Sequence, residues 1–144
     1  MSRVKLDLPE DFRFSTELAV RIGDINYGGH LGNDSVLSMV HEARVRFLKH
    51  YGFTEADIDG TGIIMTDAVI IYKAEGFYGN ILRIEVDVSD LSKVGCDFIF
   101  RLTDKEKGSE IARAKTGVVF FDYERRRIMP VPEKFKNLFY DRSD

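Results

Sequence analysis

Val20-Arg21-Ile22-Gly23-Asp24-Ile25-Asn26-Tyr27-Gly28-Gly29-His30-Leu31-Gly32-Asn33 runs directly into an amphipathic segment carrying His41-Glu42-Ala43-Arg44. The stretch reads as the end of a strand, a glycine-rich loop and the start of a long helix. The loop holds an acid, an amide and an imidazole (Asp24, Asn26 and His30) within seven residues. A helix N-terminus leaves backbone N–H groups without intrahelical partners and carries a partial positive charge, so it attracts an anion or a developing oxyanion. Acid, amide and imidazole side chains beside such a terminus are the materials of acyl transfer or carbonyl chemistry.

Upstream, Phe14, Thr16, Leu18, Val20 and Ile22 occupy alternate positions and predict a strand over Phe14 to Ile22. Downstream, Asn33, Asp34 and Ser35 are each good N-caps, and the predicted helix runs to about Tyr51 and stops at Gly52. Val36, Val40, Ala43 and Phe47, flanked by Leu37, Met39 and Leu48, give it one wide apolar face. Beyond the 52–62 connection, Gly62 to Lys73, Ile81 to Leu91, Gly95 to Thr103 and Ile111 to Phe121 all read as strands. Turn residues at 76–80, 92–94 and 104–109 separate them, and the short spacings predict antiparallel pairing. Pro130 and Pro132 precede a short last helix, about Glu133 to Tyr140. One long helix against a curved antiparallel sheet of about five strands is an α+β, two-layer domain. Residues 1–144 read as one domain, with 1–13 an N-terminal extension and 133–144 a C-terminal helix and tail.

Composition narrows the function. A hydrophobic fraction of 44% and a charged fraction of 31% describe an ordinary globular chain. The net charge of −3, with no basic stripe, argues against a general nucleic-acid binder. One cysteine, Cys96, excludes an intramolecular disulfide and any cysteine-rich metal site, and fits a reducing cytoplasm. His30, His41 and His50 lack metal-ligand spacing, so no metal is expected. No apolar run has the length of a signal segment or a membrane span.

The order of elements, and four groups of residues in it, resemble the hotdog-fold thioesterases of the 4-hydroxybenzoyl-CoA thioesterase type. The groups are Val20-Arg21; Gly29-His30-Leu31-Gly32-Asn33; Glu42-Ala43-Arg44; and Gly117 to Asp122 followed by Arg127 and Pro130-Val131-Pro132. The resemblance covers roughly residues 14 to 132. It implies a helix wrapped by the sheet, dimers or dimers of dimers that join two sheets, and thioester sites between subunits. It also implies acyl-CoA hydrolysis with coenzyme A as part of the substrate and no further cofactor.

Carried onto this sequence, the family's usual carboxylate position, four residues before His30, is Asn26. An amide has no proton affinity near neutral pH, so Asn26 is expected to orient water or substrate. Asp24 is the nearby carboxylate, expected to take over that role by attacking the carbonyl or activating water; its plain reading is a turn cap or a partner for Arg21. His30 either assists proton transfer or satisfies loop backbone groups. Backbone N–H groups around Gly32 and Asn33 are expected to polarise the thioester carbonyl. Glu42 lies about 12 Å along the helix at about 1.5 Å per residue, too far to act at its own helix terminus. A second branch of hotdog thioesterases uses a helix carboxylate of the partner subunit, and Glu42 suits that role; its plain reading is an i,i+4 pair with Arg46. Ser38 shares its face and is expected to orient substrate. Arg125 and Arg127 are expected at the phosphates of coenzyme A. The competing functions are a hotdog enoyl-CoA hydratase, suggested by Asp24, Asn26 and His30, and a non-catalytic acyl-CoA-binding protein.

Overall fold

The computed structural model describes residues 3–139. The chain forms β1 (Phe14–Ala19), a 3-10 turn (Ile22–Asp24), α1 (Asn33–His50), β2 (Gly62–Tyr72), β3 (Ile81–Ser89), β4 (Gly95–Asp104), β5 (Glu110–Asp122), β6 (Arg127–Ile128) and α2 (Glu133–Phe139). The strands make one antiparallel sheet in the order β1-β3-β4-β5-β2, with β6 paired to the end of β5. This is the long helix on a five-stranded sheet that the sequence predicts, with one short strand added.

Period-two alternation sends Leu82, Ile84, Val86 and Val88 of β3, and Cys96, Phe98, Phe100 and Leu102 of β4, to the inner face. Val36, Val40, Ala43 and Phe47 of α1 meet them as its buried stripe. Phe47 stands edge-on to Phe98 at 5.9 Å, and Phe135 of α2 closes the layer against Phe98 and Phe120. Each such ring contributes about 1.5–3 kcal/mol of burial, so packing against the sheet holds the helix in place.

Two local departures matter for the site. The strand expected to reach Ile22 stops at Ala19, because the chain tightens into the 3-10 turn; Ile22 is therefore 72% exposed instead of facing inward. Strand β2 carries a bulge between Met65 and Asp67, so Ile63, Met65, Ala68, Ile70 and Tyr72 share the inner face. The last helix ends among the described residues at Phe139, and the expected end at Tyr140 lies outside them.

Residues 4–13 cross the outer face of the sheet as a strap. Arg13 pairs with Asp87 of β3 at 2.6 Å. Arg101 of β4 bonds the Pro9 carbonyl and lies over the Phe12 ring. Arg113 of β5 donates to the Leu6 carbonyl at 3.0 Å, and Val4 to Asp7 line a cavity with Ile71 and Lys73. Strand β2 pairs only with β5, and no strand among the described residues covers its other edge. Ile64 to Ala68 are exposed along it. Among the described residues no helix is long and apolar enough to cross a membrane.

Candidate active site

The loop between β1 and α1 is tied to itself. Asp24 Oδ2 accepts the Arg21 N–H at 2.8 Å, and the Arg21 guanidinium lies 3.8 Å away. Both plain readings of Asp24, turn cap and Arg21 partner, are thus realised, and Asp24 also lines a cleft described below. Asn26 Oδ1 accepts the N–H groups of Gly28 (2.9 Å) and His30 (3.4 Å), while the Asn26 N–H donates to the His30 carbonyl. Gly29, at φ +85°, supplies the left-handed residue that this reversal requires. Asn26 and His30 therefore build the loop, and the His30 ring lies against Gly28.

The return leg delivers the chain to Gly32, the N-cap of α1, which has no side-chain cap bond. The Gly32 N–H donates to the Asp24 carbonyl at 2.9 Å, so the loop itself occupies that amide. The first N–H to bond within the helix is that of Val36, to the Gly32 carbonyl at 3.1 Å. Asn33, Asp34 and Ser35 thus present three backbone N–H groups with no acceptor among the described residues. Asn33 is the first helical residue and not the cap, and the free donors begin with it. Gly32 leaves room here: a Cβ on it would stand 3.0 Å from Asp34 Oδ1 and 3.5 Å from Asn26 Cβ.

Two different spaces flank α1. Toward β1 is an open cleft of about 470 Å³, lined by Asp24, Ser38, Glu42 and Arg46 together with Leu18 and Met39. Asp24 and Glu42 share it. Glu42 is held by Arg46 at 2.9 Å, and Arg46 is fixed in turn by Thr16 Oγ1 (2.7 Å) and the Glu17 carbonyl (3.1 Å). Ser38 Oγ donates to the Asp34 carbonyl at 3.3 Å.

Toward β2 the helix turns Asp34, Leu37, His41 and Arg44. Buried Arg44 donates from Nε to Glu55 Oε2 at 2.6 Å and from an NH1 group to Thr116 Oγ1 at 3.1 Å. His41 Nε2 lies 2.8 Å from the other carboxylate oxygen of Glu55. Burial opposes ionisation of Glu55, but the hydrogen bonds and charges of Arg44 and His41 outweigh it and hold the carboxyl below its ordinary value. At the helix N-terminus, partial burial and the negative charge of Asp34 push the Tyr72 phenol up. On the inner face of β2, Met65, Ala68 and Tyr72 are exposed.

Arg125 and Arg127 are not brought to this helix terminus. They lie on the β5–β6 turn, beside the Gly62 end of β2, whereas Asp34 sits at the Tyr72 end. Eleven residues of strand separate the ends, roughly 35 Å at about 3.3 Å per residue. Among the described residues no cluster of His, Cys, Asp or Glu has the arrangement to hold a metal ion. Cys96 is buried and its thiol is pushed up by burial, as suits a core residue. Sequence reasoning passed over the His41–Glu55–Arg44 chain; the available signal was the three-residue spacing of His41 and Arg44 on one helix flank.

No curated protein matches this chain by sequence. The solved structures similar to it include a 1,4-dihydroxy-2-naphthoyl-CoA thioesterase from Synechocystis, at 21% identity and TM-score 0.80 over 89% of this chain and 96% of that one. A thioesterase-superfamily protein from Jannaschia is 20% identical with TM-score 0.82, covering 91% of this chain and 83% of that one. A gentisyl-coenzyme A thioesterase is 18% identical with TM-score 0.76, covering 85% and 99%. Their agreement is in the fold, the hotdog arrangement of helix and sheet. The model of the thioesterase-like superfamily matches residues 20–139, from the end of β1 through α2. The chain belongs to the thioesterase-like superfamily.

Proposed function

We propose that this protein hydrolyses acyl-CoA thioesters, with the thioester lying across the N-terminus of α1. The observation that carries the reading is the pairing of three free N–H groups, at Asn33 to Ser35, with an adjoining cleft that holds Asp24. The amides receive the carbonyl oxygen. Asp24, joined to the same turn through its carbonyl bond to Gly32, takes a proton from water as the water oxygen adds to the carbonyl carbon. Negative charge gathers on the oxygen facing the helix amides, where fixed donors stabilise it most. Collapse expels the coenzyme A thiolate, which recovers the proton. Ser38 and Glu42 line the route of water and pantetheine, and Asn26 and His30 hold the loop in shape. Glu42, about 12 Å along the helix and paired with Arg46, is a wall of the cleft in this scheme.

A second copy completes the site. The uncovered β2 edge pairs with its equivalent in a cytoplasmic homodimer, and such dimers assemble further into tetramers. Antiparallel pairing sets the Gly62 end of one β2 beside the Tyr72 end of the other. Arg125 and Arg127 of the partner subunit then come to this helix terminus and meet the phosphates of coenzyme A.

Release of free thiol from short, long and aromatic acyl-CoAs tests the reading. Wild-type turnover should fall at least about a hundredfold in Asp24→Asn and less than about tenfold in Glu42→Gln. The opposite ranking would transfer the chemistry to Glu42. Saturable acyl-CoA binding without thiol release would make the protein a binder, and water addition to a 2-enoyl-CoA would make it a hydratase.

A further inference from the structure

The cavity between the strap and the sheet has no part in the hydrolysis above. It holds about 360 Å³ on the outer face, with Val4 to Asp7 on one side and Ile71, Lys73 and Arg113 on the other. That volume falls within the range of small-molecule sites, about 300–1,000 Å³. Pairing through the uncovered β2 edge extends the sheet sideways and does not cross this face.

The lining is divided by chemistry. Ile71 points outward on β2 yet is only 4% exposed, and with half-buried Leu6 of the strap it makes an apolar floor. Lys5, Asp7 and Lys73 are exposed at the rim. Arg113 is already engaged: Glu110 grips its guanidinium at 2.7 and 3.2 Å, and NH1 donates to the Leu6 carbonyl. The Glu110 hydrogen bonds first, then the charges of Glu110 and Asp7, push the Arg113 guanidinium up against the opposing effect of burial. Lys5 and Lys73 make no ion pair among the described residues.

The strap therefore brings one ammonium group to a cavity whose sheet wall already carries another. Taken as a sphere, the cavity is about 9 Å across, close to the screening length of about 8 Å at physiological salt, so the two charges repel. An anion between them removes that repulsion, and the floor favours an anion with a hydrocarbon tail. The guanidinium fork that would grip a phosphate is taken by Glu110, and Asp7 at the rim weighs against a dianion. Two point charges over an apolar floor match a single carboxylate.

We infer that this cavity binds a small monocarboxylate with a short hydrocarbon tail, its carboxylate between Lys5 and Lys73 and its tail on Ile71 and Leu6. The site stands apart from the thioester reading and does not rest on it. Because the ligand touches both strap and sheet, an occupied site holds the strap down.

Amide NMR of the full chain titrated with sodium hexanoate tests this, with sodium acetate, inorganic phosphate and hexan-1-ol as comparison probes. Hexanoate should shift the amides of residues 5–7, 71–73 and 113 saturably. Acetate and phosphate, which lack the tail, and hexan-1-ol, which lacks the charge, should each bind at least about tenfold more weakly. Lys5→Gln and Lys73→Gln are exposed changes that should leave the melting temperature unaltered and weaken hexanoate about three- to tenfold each. Hydrogen exchange supplies a second readout. A ligand that binds only the closed strap slows exchange there by a factor of 1 + [L]/Kd, about elevenfold at ten times Kd. Residues 4–13 should slow by that factor in wild type. No saturable hexanoate shifts, shifts confined to the 24–35 loop, or equal affinity for phosphate or hexan-1-ol would overturn the inference. So would undiminished hexanoate binding in both lysine variants, or strap exchange that hexanoate leaves unchanged.

Discussion

Replacing Arg44 by Leu is the sharpest test of what holds the β2 flank of the helix. The substitution keeps an apolar stem in a buried position but removes both donors that Glu55 and Thr116 receive there. Breaking one side of a buried ion pair costs about 3–5 kcal/mol when the remaining charge is sealed from water. Glu55 keeps His41 as a partner, and its side chain is 26% exposed, so the cost of breaking the pair falls below that range. With the Thr116 hydroxyl also losing a partner, the expected loss is about 2–3 kcal/mol. The loss should depend on pH, in a direction set by Glu55. Its carboxyl sits below the ordinary value of 4.5 in the folded chain, so its contribution is present above that value and disappears as pH falls through the folded one. Urea unfolding of wild type and Arg44→Leu at neutral pH and at about pH 3 should therefore show a gap that narrows in acid. A gap below about 0.5 kcal/mol at neutral pH, or one of equal size at both, would refute the assignment of Arg44 and Glu55 as a stabilising pair.

Two further outcomes are expected. Lysines at Ile64 and Val69, on the outer face of the uncovered strand, should block the proposed edge pairing; light scattering should then give the monomer mass for the variant against the dimer mass proposed for wild type, with the proposed thiol release lost alongside it. Gly95→Ala should cost about 1–3 kcal/mol in chemical denaturation, because its methyl would overlap the Val118 carbonyl, whereas Gly23→Ala, with open space around it, should stay within about 0.5 kcal/mol of wild type.

The helix and the long strands were legible because each buries one face, and the spacing of Val36, Val40, Ala43 and Phe47 announces that face directly. The loop was legible as a concentration of chemistry, since glycines set among Asp24, Asn26 and His30 suit neither a strand nor a helix interior. What the spacing could not give was the left and right of the helix. Glu42 and His41 differ by about 100° around the axis and both flank the buried stripe. Which of them looks toward β2 depends on how the strands are ordered across the sheet. The chain order puts β2 directly after the helix, yet β2 lies at the far edge from β1, and that placement turns His41 toward the open strand and Glu42 toward β1. The same limit applies to Gly32, whose N–H is occupied only because the loop closes back on Asp24. It applies also to the bulge at Met65, which no alternation pattern announces. Arg125 and Arg127 stood out as a basic stretch, but a linear sequence carries no measure of their distance from the helix terminus.

The strap over the outer face has a kinetic consequence. Its contacts join residues far apart along the chain: Leu6 with Arg113, 107 residues away, and Pro9 with Arg101, 92 residues away. Such contacts require nearly the whole chain to be in place before they yield any energy, so they belong to the last stage of folding. Once made, they hold a segment that has no helix or strand of its own, so the strap should also be the first segment to lift in the folded protein. The amide protons of residues 4–13 should exchange with solvent through that local opening, well ahead of those in β4 and β5, whose release waits for unfolding of the whole sheet.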